Sequence, residues 1–251
     1  MAVSYDMYIF YESFPYYSAT LTCNNTTSVY TYTQKGENPS SKKNKKLVTG
    51  SDHGNFTIAV DTSQNVIYIN RNTGELLDYT RKRKSVLIDT ITNIKWQLID
   101  DSVKTIADYT CYLAQGYFRG CVYSVWYTPD IPSSFGPWKL NGCPGLILEA
   151  TRDDKVLSFY ATKIVSENKI ITTDFNNKPL KSRELYEKEH IDYLNKNFEQ
   201  IIASQTRGSS IMPYYISCLE CDFLDELLRF SSISIRKIVT DKLTGDEPEI
   251  K

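Results

Sequence analysis

The chain has 251 residues, 41% of them hydrophobic and 24% charged, with 29 Lys and Arg against 30 Asp and Glu. That composition belongs to a globular chain and excludes a disordered segment, a collagen or a disulfide-dense miniprotein, and a net charge of −1 leaves no overall field to attract nucleic acid or an anionic bilayer. No apolar run approaches the roughly 20 residues that cross a bilayer as a helix, while 19 Tyr, 10 Phe and 3 Trp tilt the chain toward β structure.

Residues 3–11 alternate, with Val3, Tyr5, Met7, Ile9 and Tyr11 on one face and Ser4 and Asp6 on the other, the period of a half-buried strand. No charged and apolar leader precedes them, which fits either a cytosolic protein or a mature exported chain. Thr/Tyr/Val-rich runs at 18–22 and 27–33 flank a turn at Cys23-Asn24-Asn25-Thr26. Residues 36–55 have almost nothing to bury and read as a long exposed loop. Its Lys42, Lys43, Lys45 and Lys46 offer a phosphate or headgroup patch, but read first as solvated, because no aromatic residues are interleaved for base stacking.

Strand-like runs then recur at 56–60, 65–70, 75–80, 84–91, 95–99, 109–115, 121–128, 145–151, 156–165 and 169–173. Turn-type punctuation separates them at Asn72-Thr73-Gly74, Asp100-Asp101-Ser102 and Arg152-Asp153-Asp154. The cluster Arg81-Lys82-Arg83-Lys84 reads as an edge or hairpin end. Helical spacing first appears in 182–205, where Ile191, Leu194, Phe198, Ile201 and Ile202 form one stripe behind Ser182 as N-cap. A short second helix is expected at 221–230, and the tail 244–251 reads as frayed. The expected architecture is a single domain over 1–251 and mainly β: a curved antiparallel sheet, an open half-barrel-like meander, with one C-terminal amphipathic helix packed on it.

Residues with obvious chemistry are scattered. His53 and His190 come without a nucleophile motif or metal-ligand spacing, so no catalytic residue, metal or cofactor is assigned. Cys218-Leu219-Glu220-Cys221 matches C-x-x-C but lacks the βαβ setting that gives the motif its redox meaning. Plain thiols or a local clasp therefore compete with redox catalysis. Cys111 is expected to be buried within a strand beside a hairpin turning near Arg119-Gly120, with no direct bridge to Cys121. The acid pairs Asp100-Asp101, Asp153-Asp154 and Glu247/Glu249 sit in turn-like sequence, where adjacent carboxylates point apart.

The densest signal is residues 126–149, in which a strand ends at Trp126-Tyr127-Thr128 and a Pro/Gly-shaped loop carries Phe135 and Trp138. A turn then leads into an apolar strand. Cys143-Pro144-Gly145-Leu146 suits a type II turn, and Phe135 and Trp138 should fold onto the sheet and cover one end of the core. Gly136, Pro137, Gly142, Pro144 and Gly145 are the structural residues of this motif. Trp126, Phe135, Trp138 and Lys139 are its candidate ligand- or partner-contacting residues, with a core-closing role as the competing reading.

At Gly142-Cys143-Pro144-Gly145-Leu146-Ile147 the chain resembles the GLPGLI family, Porphyromonas-type exported proteins of Bacteroidetes, with Cys143 in place of the usual Leu. The resemblance runs from about 94 to 165 through Trp96, the Ile106–Tyr109 turn, Cys111-x-x-Ala114, Phe118-Arg119-Gly120, Trp126-Tyr127-Thr128, Ile131-Pro132 and Gly136-Pro137-Trp138-Lys139. It implies export to the periplasm or cell surface, with the signal peptide absent from this sequence, and implies no reaction or cofactor.

Three functional classes follow. The first is a non-enzymatic envelope or cell-surface module binding an apolar ligand or an envelope protein; it is neither a nucleic-acid binder nor an integral membrane protein. A hydrolase or thiol-redox enzyme built on carboxylates or Cys218/Cys221 is the second, and a structural or assembly protein the third. One helix is too short to cover about ten strands, so some apolar or Tyr-rich surface should stay accessible, which favours binding.

Overall fold

The computed structural model describes residues 1–9, 16–34, 57–59, 64–80, 85–155, 157–166, 171–175, 178–186 and 188–189. Among them run fourteen strands: β1 (Ala2–Ile9), β2 (Tyr16–Cys23), β3 (Thr27–Gln34), β4 (Thr57–Ala59), β5 (Asn65–Asn70), β6 (Glu75–Tyr79), β7 (Val86–Thr90), β8 (Trp96–Ile106), β9 (Tyr109–Phe118), β10 (Cys121–Thr128), β11 (Leu146–Arg152), β12 (Leu157–Val165), β13 (Thr172–Asp174) and β14 (Leu180–Ser182). Twelve form one open sheet in the order β14-β7-β6-β5-β3-β2-β1-β12-β11-β10-β9-β8, and β4 and β13 form a separate parallel pair. The mainly β, open-sheet expectation holds. The edge pair β14–β7 is parallel, whereas its inner neighbours run antiparallel.

The chain divides into two compact units, one of Met1–Gly116 with Val122–Ser182 and the other of Tyr117–Cys121 with Arg183–Lys251. Helical backbone occurs at 183–186 and 188–189. The rest of the expected 182–205 helix lies outside the described residues, as do the 221–230 helix, Arg81–Lys84, the whole 36–55 loop, the 244–251 tail, both His residues, Cys218 and Cys221, and Glu247/Glu249.

Period-two patterning sets the faces of the sheet. In β1, Val3, Tyr5 and Met7 are buried, and their partners Leu21, Ala19 and Tyr17 on β2 and Phe159 on β12 lie on the same side. Tyr30 sits opposite both Leu21 and Ile67, and Ile67 opposite Asp78, which carries this core face across β3, β5 and β6. The reverse face has its own apolar cluster at one end, where Val29, Val66, Tyr68, Tyr79 and Val86 pack with Ile171 and, partly buried, Phe175.

One turn expectation is corrected. Asp100-Asp101-Ser102 does not end a strand; β8 continues to Ile106, and these residues bulge between the pairs Ile99↔Leu113 and Val103↔Tyr112. Asp101 reaches φ +68°, a left-handed conformation that Asp tolerates, so an acid-rich stretch absorbs the extra residues without breaking the ladder. The hairpin instead turns at Ala107 (φ +47°) and Asp108 (φ +68°).

Candidate functional site

The loop between β10 and β11 is the unusual feature of the sheet's core face. Connections normally run over the surface, where water satisfies their backbone. Here every residue from Phe135 to Asn141 is buried. The loop supplies its own backbone partners: Gly142 N–H donates to Ser134 O (2.8 Å), Ile147 N–H to Phe135 O (3.2 Å) and Leu140 N–H to Pro137 O (3.1 Å), and Phe135 and Asn141 form a bridge.

The sheet holds this loop from several strands. Tyr5 on β1 donates its hydroxyl to Ile147 O at 2.6 Å. Arg71, in the β5–β6 turn, donates to Ser134 O at 2.9 Å and lies 4.8 Å over the Phe135 ring. Trp96 on β8 donates its indole N–H to Asn141 O at 2.8 Å. Lys139 Nζ reaches Asp78 Oδ2 on β6 at 2.6 Å, the two side chains being 0% and 4% exposed. Six strands lie between β10, where the loop starts, and β6, where Lys139 ends. At about 4.8 Å per strand a flat sheet would separate them by more than 30 Å, so the sheet curls around the loop.

Glycines fit where backbone approaches most closely. A Cβ on Gly136 would lie 2.9 Å from both Ile147 Cβ and Leu140 O, and one on Gly145 would collide with the Thr128 carbonyl and stand 2.8 Å from Pro129 N. The expected type II turn at Pro144-Gly145 is not what forms. Gly145 has φ +158°, far from the roughly +80° of that turn, and Leu146 N–H donates to Ile131 O at 3.3 Å. Gly145 serves close approach instead. Trp138 is the strained member: its φ of +57° at the first central position of the turn closed by Leu140 is the place a type II′ turn normally gives to glycine. Its buried ring, 6.3 Å from Tyr123, offsets that cost.

Of the four contact candidates, Phe135, Trp138 and Lys139 come together inside the protein, and Trp126 lies half-buried on the reverse face, paired with Glu149. Lys104 Nζ sits 4.4 Å from the Trp126 ring centroid and 2.7 Å from Glu149 Oε2. Sequence reasoning missed Asp78 and Arg71 as the loop's anchors. It also missed an apolar lip on β8 and β9, where Leu98 is 49%, Val103 56% and Tyr112 39% exposed. Their register partners Ala114 and Tyr112 share a face with Gly116, against which Trp96 packs, so the lip continues the core face beyond the loop.

Cys23, Cys111 and Cys143 are free thiols, and Cys111 is buried in β9 as expected. Burial pushes the Cys143 thiol up to about 12 from its ordinary 9.0. Burial likewise raises Tyr5 and Tyr30 well above the usual phenol value. Unfolded thiol loses its proton from 9.0 upward while folded Cys143 keeps it until about 12, so this contribution to stability is full below 9.0 and is lost as pH rises toward 12. Urea midpoints should fall across that window, and native Cys143 should resist thiol reagents at neutral pH until the chain is denatured. Asp154 is held by Arg152 in a two-point pair at 2.6 and 2.7 Å. Among the described residues no cluster of three or more His, Cys, Asp or Glu side chains is placed to hold a metal, and no helix is long and apolar enough to cross a membrane.

A family model described as a protein of unknown function (Porph_ging) matches residues 120–149, which take in β10, the buried loop and the start of β11. No curated protein matches the chain. Among solved structures the chain is similar to PNGF-II in two crystal forms, C2 and P21. Both are 16% identical, with TM-scores of 0.44 and 0.43, covering 72% and 75% of this chain and 30% and 32% of those. The chain thus spans about a third of PNGF-II. An uncharacterized conserved protein from Thermus thermophilus is 9% identical, with a TM-score of 0.30 over 73% of this chain and 91% of that one.

Proposed function

We propose that the protein is a non-enzymatic binding module that takes an apolar ligand or the apolar patch of an envelope protein at the lip of β8 and β9. The observation that carries this reading is the exposure of Leu98, Val103 and Tyr112 on the face that elsewhere is core. Contiguous exposed apolar surface beside a rigid scaffold is the usual mark of a binding site. The buried loop supplies that rigidity, with Trp96 joining loop to lip. Export to the periplasm or cell surface, and membership of the GLPGLI family, belong to the same proposal and rest on the residues of 94–165 quoted above.

An apolar fluorescent dye titrated into the full chain should bind saturably. Val103→Asp and Leu98→Asp should each weaken binding at least tenfold while leaving the urea midpoint nearly unchanged, because both side chains are about half exposed. Binding that is unsaturable, or unaltered by both substitutions, sinks the reading. A broad hydrolase and thiol-oxidoreductase screen should be silent, and turnover lost in Asp153→Asn or Cys218→Ser would replace the module with an enzyme.

A further inference from the structure

We propose that Lys139 and Asp78 are joined by an intramolecular isopeptide bond formed by the folded chain itself. This goes beyond the binding reading and does not depend on it. Lys139 Nζ and Asp78 Oδ2 are 2.6 Å apart, with side chains 0% and 4% exposed. Asp78 lies on the core face opposite Ile67 and Leu87, both buried, and the Lys139 ammonium is 5.8 Å from the Trp138 ring centroid.

Taking two charges out of water carries a desolvation penalty that can exceed their mutual attraction. Moving one proton from the ammonium to the carboxylate gives a neutral amine and a neutral acid already in contact. The amine nitrogen then attacks Asp78 Cγ. A C–N bond forms, the Cγ–OH bond breaks, and the hydroxyl departs with one nitrogen proton as water. The product is a secondary amide with one N–H, and nothing is oxidised or reduced. Fixed contact between the reacting groups supplies the proximity that makes an unactivated condensation feasible. The product also replaces two buried charges with one neutral polar group, which is cheaper to keep dry. The bond would tie the buried loop to β6 across the curled sheet.

Intact-mass spectrometry of the purified, denatured full chain tests this directly. The expected mass is lighter than the sequence mass by one water. Trypsin should then yield one branched peptide joining Asn72–Arg81 to Gly120–Arg152, uncut after Lys139. Lys139→Arg keeps the charge but not the nucleophile and should restore full mass relative to its own sequence. Asp78→Asn, if it reacts, should lose ammonia in place of water. Wild-type chain found only at full mass, with Asn72–Arg81 free and cleavage after Lys139, overturns the proposal and leaves a plain ion pair.

Discussion

Replacing Gly145 with valine is expected to destabilise the protein by about 3 kcal/mol or more, at the upper end of overpacking effects. The obstacle to a side chain there is main chain, the Thr128 carbonyl and Pro129 N, which no rotamer change can move aside. Both β10 and β11 must therefore shift, and with them the Tyr5 bond to Ile147 O. Gly74 provides the control. It has φ +71°, but a Cβ placed there would meet nothing within 4 Å, so Gly74→Ala should cost only the left-handed strain, about 1–2 kcal/mol. Urea melts of the two variants separate the effects, and a Gly145→Val chain that melts with wild type would show that the β10–β11 junction yields easily.

Removing one member of the Lys139–Asp78 pair should be as damaging. Asp78→Ala leaves the Lys139 nitrogen in the core without this carboxylate, and breaking a buried pair from one side costs about 3–5 kcal/mol. The same substitution removes the amide proposed above. Replacing both residues by apolar ones, Asp78→Leu with Lys139→Met, should recover much of the loss, because no charge is then left buried. Melts of the single and double variants form a cycle, and additive losses would mean that the two side chains do not act together.

Much of this is legible in the residues. The alternation of Val3, Tyr5 and Met7 predicts β1 and its buried face, and the cost of leaving Phe135 and Trp138 in water predicts that their loop folds inward. The apolar stripe of 182–205 points to a C-terminal helix, most of which lies outside the described residues, and the buried loop covers part of the core face. Its anchors are hidden because they lie far along the chain: Arg71 and Asp78 precede Lys139 by two to three strand pairs. Only parity hints at Asp78, which alternates with buried Leu76 in Glu75-Leu76-Leu77-Asp78-Tyr79 and so has to face the core. The lip is harder still. A bulge of three residues in β8 looks like a turn until its pairing with β9 is known, and the acids that suggest a chain reversal are the residues that let the strand bend.

The position of β1 bears on how the chain comes to be folded at all. It lies in the interior of the large sheet, with Ala2 opposite Thr22 on one side and opposite Val165 on the other. The first partner is available almost at once, but the second emerges only after most of the sheet has been made. At the pace of synthesis, β1 presents an unsatisfied edge for on the order of ten seconds. Its contacts there are also among the most distant in sequence, the arrangement that slows folding most. A chain built this way has reason to depend on holding chaperones, and mutations that loosen the β1–β12 ladder should lower the yield of soluble protein before they alter anything the finished molecule does.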